Sequence, residues 1–184
     1  SAATGAEPAF HLGADTFDTR TLLKNAAQQA IDRQYEDFCI VDVDSHHYET
    51  ESFKEIAEYI GIPVATTLMG KGAFPEDHPL SIGVTGIWGT RLANETTREA
   101  DVVLAVGTGF GEADCSSWNP KYTFAIPPSR LIQLDIDPQE IGKTYPVDTG
   151  IVGDAKATLA KLLERLRDRV PPRKWGDSPR FVKL

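Results

Sequence analysis

Thiols are scarce in this chain: Cys39 and Cys115 are the only cysteines among 184 residues, far apart and with no CxxC pair. That excludes a disulfide framework, and reduced thiols in a cytoplasmic protein are the expected state. Histidine is nearly as rare, with His11, His46, His47 and His78 making up the four. No HxH or HxxxH spacing offers a ready metal-ligand pair. No apolar run reaches the length of a membrane span, and the N-terminal residues lack the basic-then-apolar order of a signal peptide. Positive charge is in deficit too. Nineteen Lys and Arg against 27 Asp and Glu give a net charge of -8, which argues against a nucleic-acid backbone or an anionic membrane as partner. There is no internal repeat and no low-complexity segment.

What is present is the balance of an ordinary globular domain, 41% hydrophobic and 25% charged. The length suits one domain with a real core. Residues 1–17 are small, polar and aperiodic and read as a loose arm. Asp18 or Thr19 can cap a helix from about Arg20 to Gln34, whose Leu22, Leu23, Ala26, Ala27, Ala30 and Ile31 recur at helical spacing. Phe38 to Val43 reads as a strand. Glu51 to Ile60 reads as a helix stopped by Gly61. Ile62 to Thr67 is a β-rich run, followed by a Gly/Pro loop over Met69–Pro79. A helix is expected over Gly89–Ala100 and a buried strand over Asp101–Val106. A long loop over Gly107–Pro128, with at most one helical turn, comes next. Leu131–Ile136 reads as a strand, Pro138–Lys143 as a short helix and Val147–Val152 as the last strand. Asp154 then caps a helix to about Arg169. The domain is expected to cover 18–170, and 171–184 reads as a linker-like tail beginning at Pro171 and Pro172.

Apolar strands alternating with helices predict an α/β fold, a three-layer, doubly wound parallel sheet of about six strands with helices on both faces. In such folds ligands sit beyond the carboxyl ends of the strands, where strand order reverses. Function is therefore sought in the loops after Val43, Thr67, Val106, Ile136 and Val152. The loop that opens with Thr67, Met69 and Gly70 lets backbone approach a ligand, with Thr and Lys side chains to serve phosphate or ribose. Gly107, Thr108, Gly109 and Gly111 form a second permissive loop. It is not a GxGxxG opening a helix, so the standard dinucleotide fingerprint is absent. Asp135 and Asp137 end one strand and Gly153 and Asp154 follow another. Each carboxylate has two readings, acceptor for a ribose or adenine group, or cap of the next helix.

The segments Gly61-Ile-Pro-Val-Ala-Thr-Thr-Leu-Met-Gly-Lys-Gly-Ala-Phe-Pro-Glu-Asp-His-Pro-Leu80 and Gly83-Val-Thr-Gly-Ile-Trp-Gly-Thr90 carry a more specific signal. So do Ala100-Asp-Val-Val-Leu-Ala-Val-Gly-Thr108, Leu131-Ile-Gln-Leu-Asp-Ile-Asp-Pro138 and Ile151-Val-Gly-Asp-Ala155. Across them, from about Ser52 to Asp168, the chain resembles the central domain of thiamine-diphosphate-dependent enzymes of the acetolactate synthase group. The resemblance implies a Rossmann-like domain that binds FAD or ADP in some relatives and nothing in others. It also implies that thiamine diphosphate and Mg²⁺ belong to the pyrimidine- and diphosphate-binding domains of a full-length enzyme. Gly153-Asp154-Ala155 is not the metal-diphosphate motif of those domains. A chain of this kind is expected to be inactive alone, to act with the missing domains and to self-associate through faces they would cover.

One segment departs from that pattern. Relatives usually place a glycine cluster after the first strand, where this chain has Asp42-Val-Asp-Ser-His-His-Tyr-Glu49. This stretch resembles the first-strand motif of metal-dependent amidohydrolases, in which Asp-x-His supplies two ligands. Asp44 and His46, with Glu49 nearby, would present oxygen and imidazole to one ion such as Zn²⁺. A catalytic zinc needs at least three protein ligands and an open position, and the rest of that set is missing. The segment reads as a splice between two families. Its carboxylate and bulky side chains, together with Gly109 where relatives often carry Arg, weaken the expectation of an anionic nucleotide. The expected function is that of a non-catalytic central domain, structural or nucleotide-holding. The alternatives are a metal-dependent hydrolase or decarboxylase using Asp44 and His46, and a stand-alone FAD- or ADP-binding module.

Overall fold

The computed structural model describes residues 38–43, as backbone, and 51–174. The arm, the helix expected from Arg20 and the Asp44/His46 pair lie outside the described residues. Runs of aliphatic residues become strands: β1 Phe38–Val43, β2 Val64–Thr66, β3 Ser81–Val84, β4 Val102–Val106, β5 Arg130–Asp135 and β6 Thr149–Val152. Three helices lie between and after them: α1 Glu51–Ile60, α2 Arg91–Arg98 and α3 Ala155–Arg169. The strands hydrogen-bond in the order β3-β2-β1-β4-β5-β6, and every pairing is parallel.

Alternate side chains of a strand point to opposite faces, so a strand such as β4 feeds two cores. Leu104 and Val106 of β4 join Val64, Leu134 and Ile151 beneath α1 and α3, with Phe53, Ile56, Leu159 and Leu163 from those helices. Val103 and Ala105 point the other way, with Ala65 and Leu131. The first face is closed by helices that also bind each other. Tyr59 donates its hydroxyl to the Val170 carbonyl at 2.7 Å, and Arg167 meets Glu55 at 2.6 Å. His78 is part of the same closure. Its Nδ1 accepts from the Leu80 N–H, its Nε2 lies 3.0 Å from Glu58, and its ring packs on Phe74.

Among the described residues, the second face has little helix to cover it. α2 is short and polar and buries only Ala93 and Thr97. The cover comes instead from the β4–β5 connection, which places Phe110, Cys115, Phe124 and Ile126 on the sheet beside Tyr145. Phe110, Phe124 and Tyr145 stack edge to face, with ring centroids 5.2 to 6.1 Å apart. The long loop serves as a layer of the fold. Burial pushes the Tyr145 phenol well above the ordinary tyrosine range, and the adjacent Cys115 thiol pushes the same way. Between the unfolded and folded pKa the unfolded chain ionises while the native phenol does not. Stability is thus expected to fall as pH rises past about 10. Melting curves at rising pH should show this slope in the wild type and lose part of it in Tyr145→Phe.

Several boundaries differ from the sequence reading. β3 was not expected, because Ser81-Ile-Gly-Val84 holds only two large apolar residues and sits between Pro79 and Gly86. Gly83 is needed there. Its φ is +94°, and a Cβ would come within 2.8 Å of the Thr90 methyl group. Thr90 occupies that space because it caps α2, accepting from the Ala93 N–H while donating to the Ile82 carbonyl. The helix expected over Pro138–Lys143 is a run of turns. The amide of buried Gln133 explains why: it donates to the Glu140 carbonyl and accepts from the Gly142 N–H, both at 2.9 Å. These bonds take backbone groups a helix would use, and Gly142 sits at φ +73°. β6 starts at Thr149, after Asp148 has turned onto β5, where its carboxylate accepts from the Leu131 N–H.

Candidate functional site

In this strand order the chain runs outward from β1 to β3, then returns to β4 on the other side. The reversal falls between β1 and β4, the position where open parallel sheets hold ligands. Residues 44–50, which follow β1, lie outside the described residues. The other expected loops are described, and most of their polar groups are already engaged.

Thr67 is buried and its Oγ1 accepts from the Gly70 N–H at 2.9 Å, closing the turn after β2. Met69 projects into solvent. Gly107 takes a left-handed φ of +65°, and its N–H donates to the Leu134 carbonyl at 2.7 Å. Thr108 is buried and accepts from the Phe110 N–H. Asp135 accepts from the Asp137 N–H at 2.8 Å, and Asp137 from the Gln139 N–H at 2.9 Å. The Gly153 N–H bonds to the Asp135 carbonyl. Asp154 caps α3 by accepting from the Ala157 N–H at 2.8 Å. Each of these carboxylates fills a turn or cap role through one of its two oxygens. Asp154→Ala is expected to cost about 1 kcal/mol, measurable as a lower urea midpoint with unchanged slope.

The same edge is rich in exposed apolar side chains. Leu68 and Met69 follow β2, Ile87 and Trp88 follow β3, and Ile136 follows β5. Trp88 is 70% and Ile136 72% exposed. The loop after β4 reaches across to its neighbours, since Asp114 accepts from the Leu68 N–H and the Ala113 carbonyl from the Ile87 N–H at 2.8 Å. The turns after β2, β3 and β4 thus form one connected rim. Among the described residues no group of three or more His, Cys, Asp or Glu is placed to hold a metal ion. No described helix is long and apolar enough to cross a membrane. Sequence reasoning missed an open cleft of about 600 Å³ beside β3, between α2 and residues 116–122. No sequence signal marks it, because its walls come from two distant segments.

Residues 25–162 match the family model described as the thiamine pyrophosphate enzyme, central domain. The chain belongs to this family. The match starts upstream of Ser52 and so takes in the Asp42–Glu49 segment. Among curated relatives, a probable acetolactate synthase large subunit of Methanocaldococcus jannaschii is 49% identical over 117 residues, covering 64% of this chain and 19% of the relative. An acetolactate synthase of Mycobacterium avium is 44% identical over 118 residues, 64% of this chain and 18% of that protein. The acetolactate synthase large subunit of Corynebacterium glutamicum is 42% identical over 125 residues, covering 68% and 19%. The chain spans about a fifth of the length of these relatives. These matches favour the central-domain reading over the metal-hydrolase one.

Proposed function

We propose that the chain is the non-catalytic, structural central domain of an acetolactate synthase-like enzyme. Its carboxyl edge would face the pyrimidine- and diphosphate-binding domains of that enzyme. The parent reaction would be decarboxylation or acyl transfer on a 2-oxo acid or related aldehyde. The observation that carries this reading is the character of the edge. Its polar groups hold its own turns together, while its large apolar side chains stand in solvent. A domain that turned over substrate alone would need the reverse, with polar groups aimed outward. Thiamine diphosphate and Mg²⁺ do not fit the described residues of this chain. Asp154, the one carboxylate in a Gly-Asp setting after a strand, is taken up by the helix cap. Those cofactors would supply the carbanion chemistry from the other domains.

An exposed apolar edge predicts self-association when the chain is alone. Sedimentation of the purified chain should reveal oligomers, and Trp88→Ser/Ile136→Ser should return it to monomer with its circular dichroism unchanged. Native mass spectrometry with FAD, ADP and Zn²⁺ tests the remaining readings in one experiment. A one-to-one FAD or ADP adduct would add a nucleotide-holding role to the scaffold. Stoichiometric zinc that disappears in Asp44→Ala/His46→Ala, or release of CO₂ from pyruvate by the chain alone with thiamine diphosphate and Mg²⁺, would overturn the proposal.

A further inference from the structure

Two helices end side by side at the amino edge of the sheet. α1 runs back across the sheet to deliver the chain to β2, and α3 leaves the carboxyl edge at its Asp154 cap and ends beside α1. A helix leaves its last carbonyls without an internal partner, so its end is satisfied from outside. In α1 the Ala57 carbonyl accepts from the Ile62 N–H at 3.1 Å, once Gly61 has turned the chain at φ +65°. The Tyr59 carbonyl is met from much farther along the chain. It accepts from the Arg173 N–H at 2.8 Å, beyond the end of α3.

Tyr59 holds the same segment at a second point. Its hydroxyl donates to the Val170 carbonyl at 2.7 Å. One residue thus binds both ends of Val170-Pro-Pro-Arg173, through its side chain and through its backbone. The two prolines make the bridge between these points stiff. Each fixes its own φ and holds the residue before it extended, and Val170 has φ -124° and ψ 129°. Neither proline brings an N–H that would need a partner. With Val170 in place few conformations remain, so the Arg173 N–H reaches Tyr59 at small entropic cost. One turn earlier on the same face of α1, Glu55 pairs with Arg167 at 2.6 Å. That ion pair is exposed and contributes little, which leaves the hold on the segment to Tyr59.

We propose that Tyr59 is a latch that closes residues 170–173 onto α1 and so fixes the direction in which the chain leaves the domain. The exit lies at the amino edge, away from the apolar rim. The rim is thereby left clear for contacts while the covalent lead-out is held at the opposite edge. Where the chain continues into a further domain, as the central-domain reading has it, the lead-out is a stiff mount and not a loose tether. That use rests on the reading. The latch does not, and it is tested on this chain alone.

Amide exchange of the full chain is the test, with limited trypsin digestion as a second readout. The Arg173 amide should exchange slowly, and cleavage after Arg173 should be slow, because both require the segment to open. Tyr59→Phe removes one hydrogen bond and keeps the ring. It should raise both rates about fivefold while amides inside α1 and β4 keep their protection. Pro171→Gly/Pro172→Gly leaves Tyr59 untouched and should also free Arg173, again with α1 unchanged. An Arg173 amide that already exchanges freely in the wild type would overturn the proposal. So would Arg173 protection that survives both variants, since the tie then lies elsewhere. Equal acceleration across α1 and Arg173 in both variants would overturn it too, because the helices would then be parting as a unit without any latch between them.

Discussion

Gly86→Ala is expected to destabilise the chain by about 4 kcal/mol or more, an effect at the top of the range for a single substitution. Gly86 sits at φ +85°, and a Cβ there would lie 2.0 Å from the Ala113 carbonyl and 2.6 Å from the Asp114 Cα. Both obstacles are backbone, so no side-chain rotation relieves the overlap. The neighbours are held as well: the Ile87 N–H donates to Ala113 at 2.8 Å and the Gly89 N–H to Gly86 at 3.0 Å. Alanine would have to separate the β3 turn from the β4–β5 connection and break the two bonds, each 2.9 Å, between the Gly86 backbone and the Asn94 side chain. Gly72 provides the comparison. It has a similar φ of +95°, and a Cβ there would meet nothing within 4 Å, so Gly72→Ala should cost only the backbone penalty of about 1–2 kcal/mol. Urea unfolding of both variants measures the difference. Equal losses would show that the close approach at Gly86 relaxes freely.

Phe124→Ala is the second, at about 3–5 kcal/mol. Phe124 is buried and stacks edge to face on both Phe110 and Tyr145. Among the described residues no helix lies over this part of the sheet to collapse into the space, and the cover is the loop that Phe124 itself anchors. Truncation therefore removes a contact and loosens the layer. The loss should exceed that of Phe124→Leu by more than the difference in buried area, and near-ultraviolet circular dichroism should weaken with it. A cost below about 1.5 kcal/mol, the range of well-tolerated apolar swaps, would mean that the loop is not a layer of the fold.

The strands and helices legible in the sequence are those whose burial is two-sided or strongly periodic. Val102–Val106, wholly buried, and Glu51–Ile60, with Phe53, Ile56 and Ala57 on one face, are clear examples. Asp154 was also legible as a cap. What escaped was decided by contacts between distant residues. β3 exists because β2 offers it an edge, and the Pro138–Lys143 segment fails to coil because the Gln133 amide takes its backbone. The candidate site was legible as a place, the carboxyl edge, and ambiguous as chemistry. An aspartate after a strand suits a ribose hydroxyl and a backbone N–H equally well, and the 2.8 Å bonds at Asp135 and Asp154 show the second of these roles. The cleft needed the fold, since its walls, α2 and residues 116–122, lie apart in the sequence.

The two cores differ in how far apart along the chain their parts lie. Among the described residues, the fully buried part of the loop-covered face runs from Ile82 to Tyr145, with Ala65 outside that stretch. The helix-covered face joins α1 to α3, and the Tyr59–Val170 bond spans 111 positions. Closing so long a loop carries a larger entropic cost before its contacts form. The order of assembly follows: the contiguous face condenses early, and α3 docks onto α1 as a late step. Substitutions at Phe124 should then slow refolding, whereas Leu159→Ala should mainly speed unfolding. Stopped-flow chevrons of the two variants would reveal the reverse order if α3 were part of the nucleus.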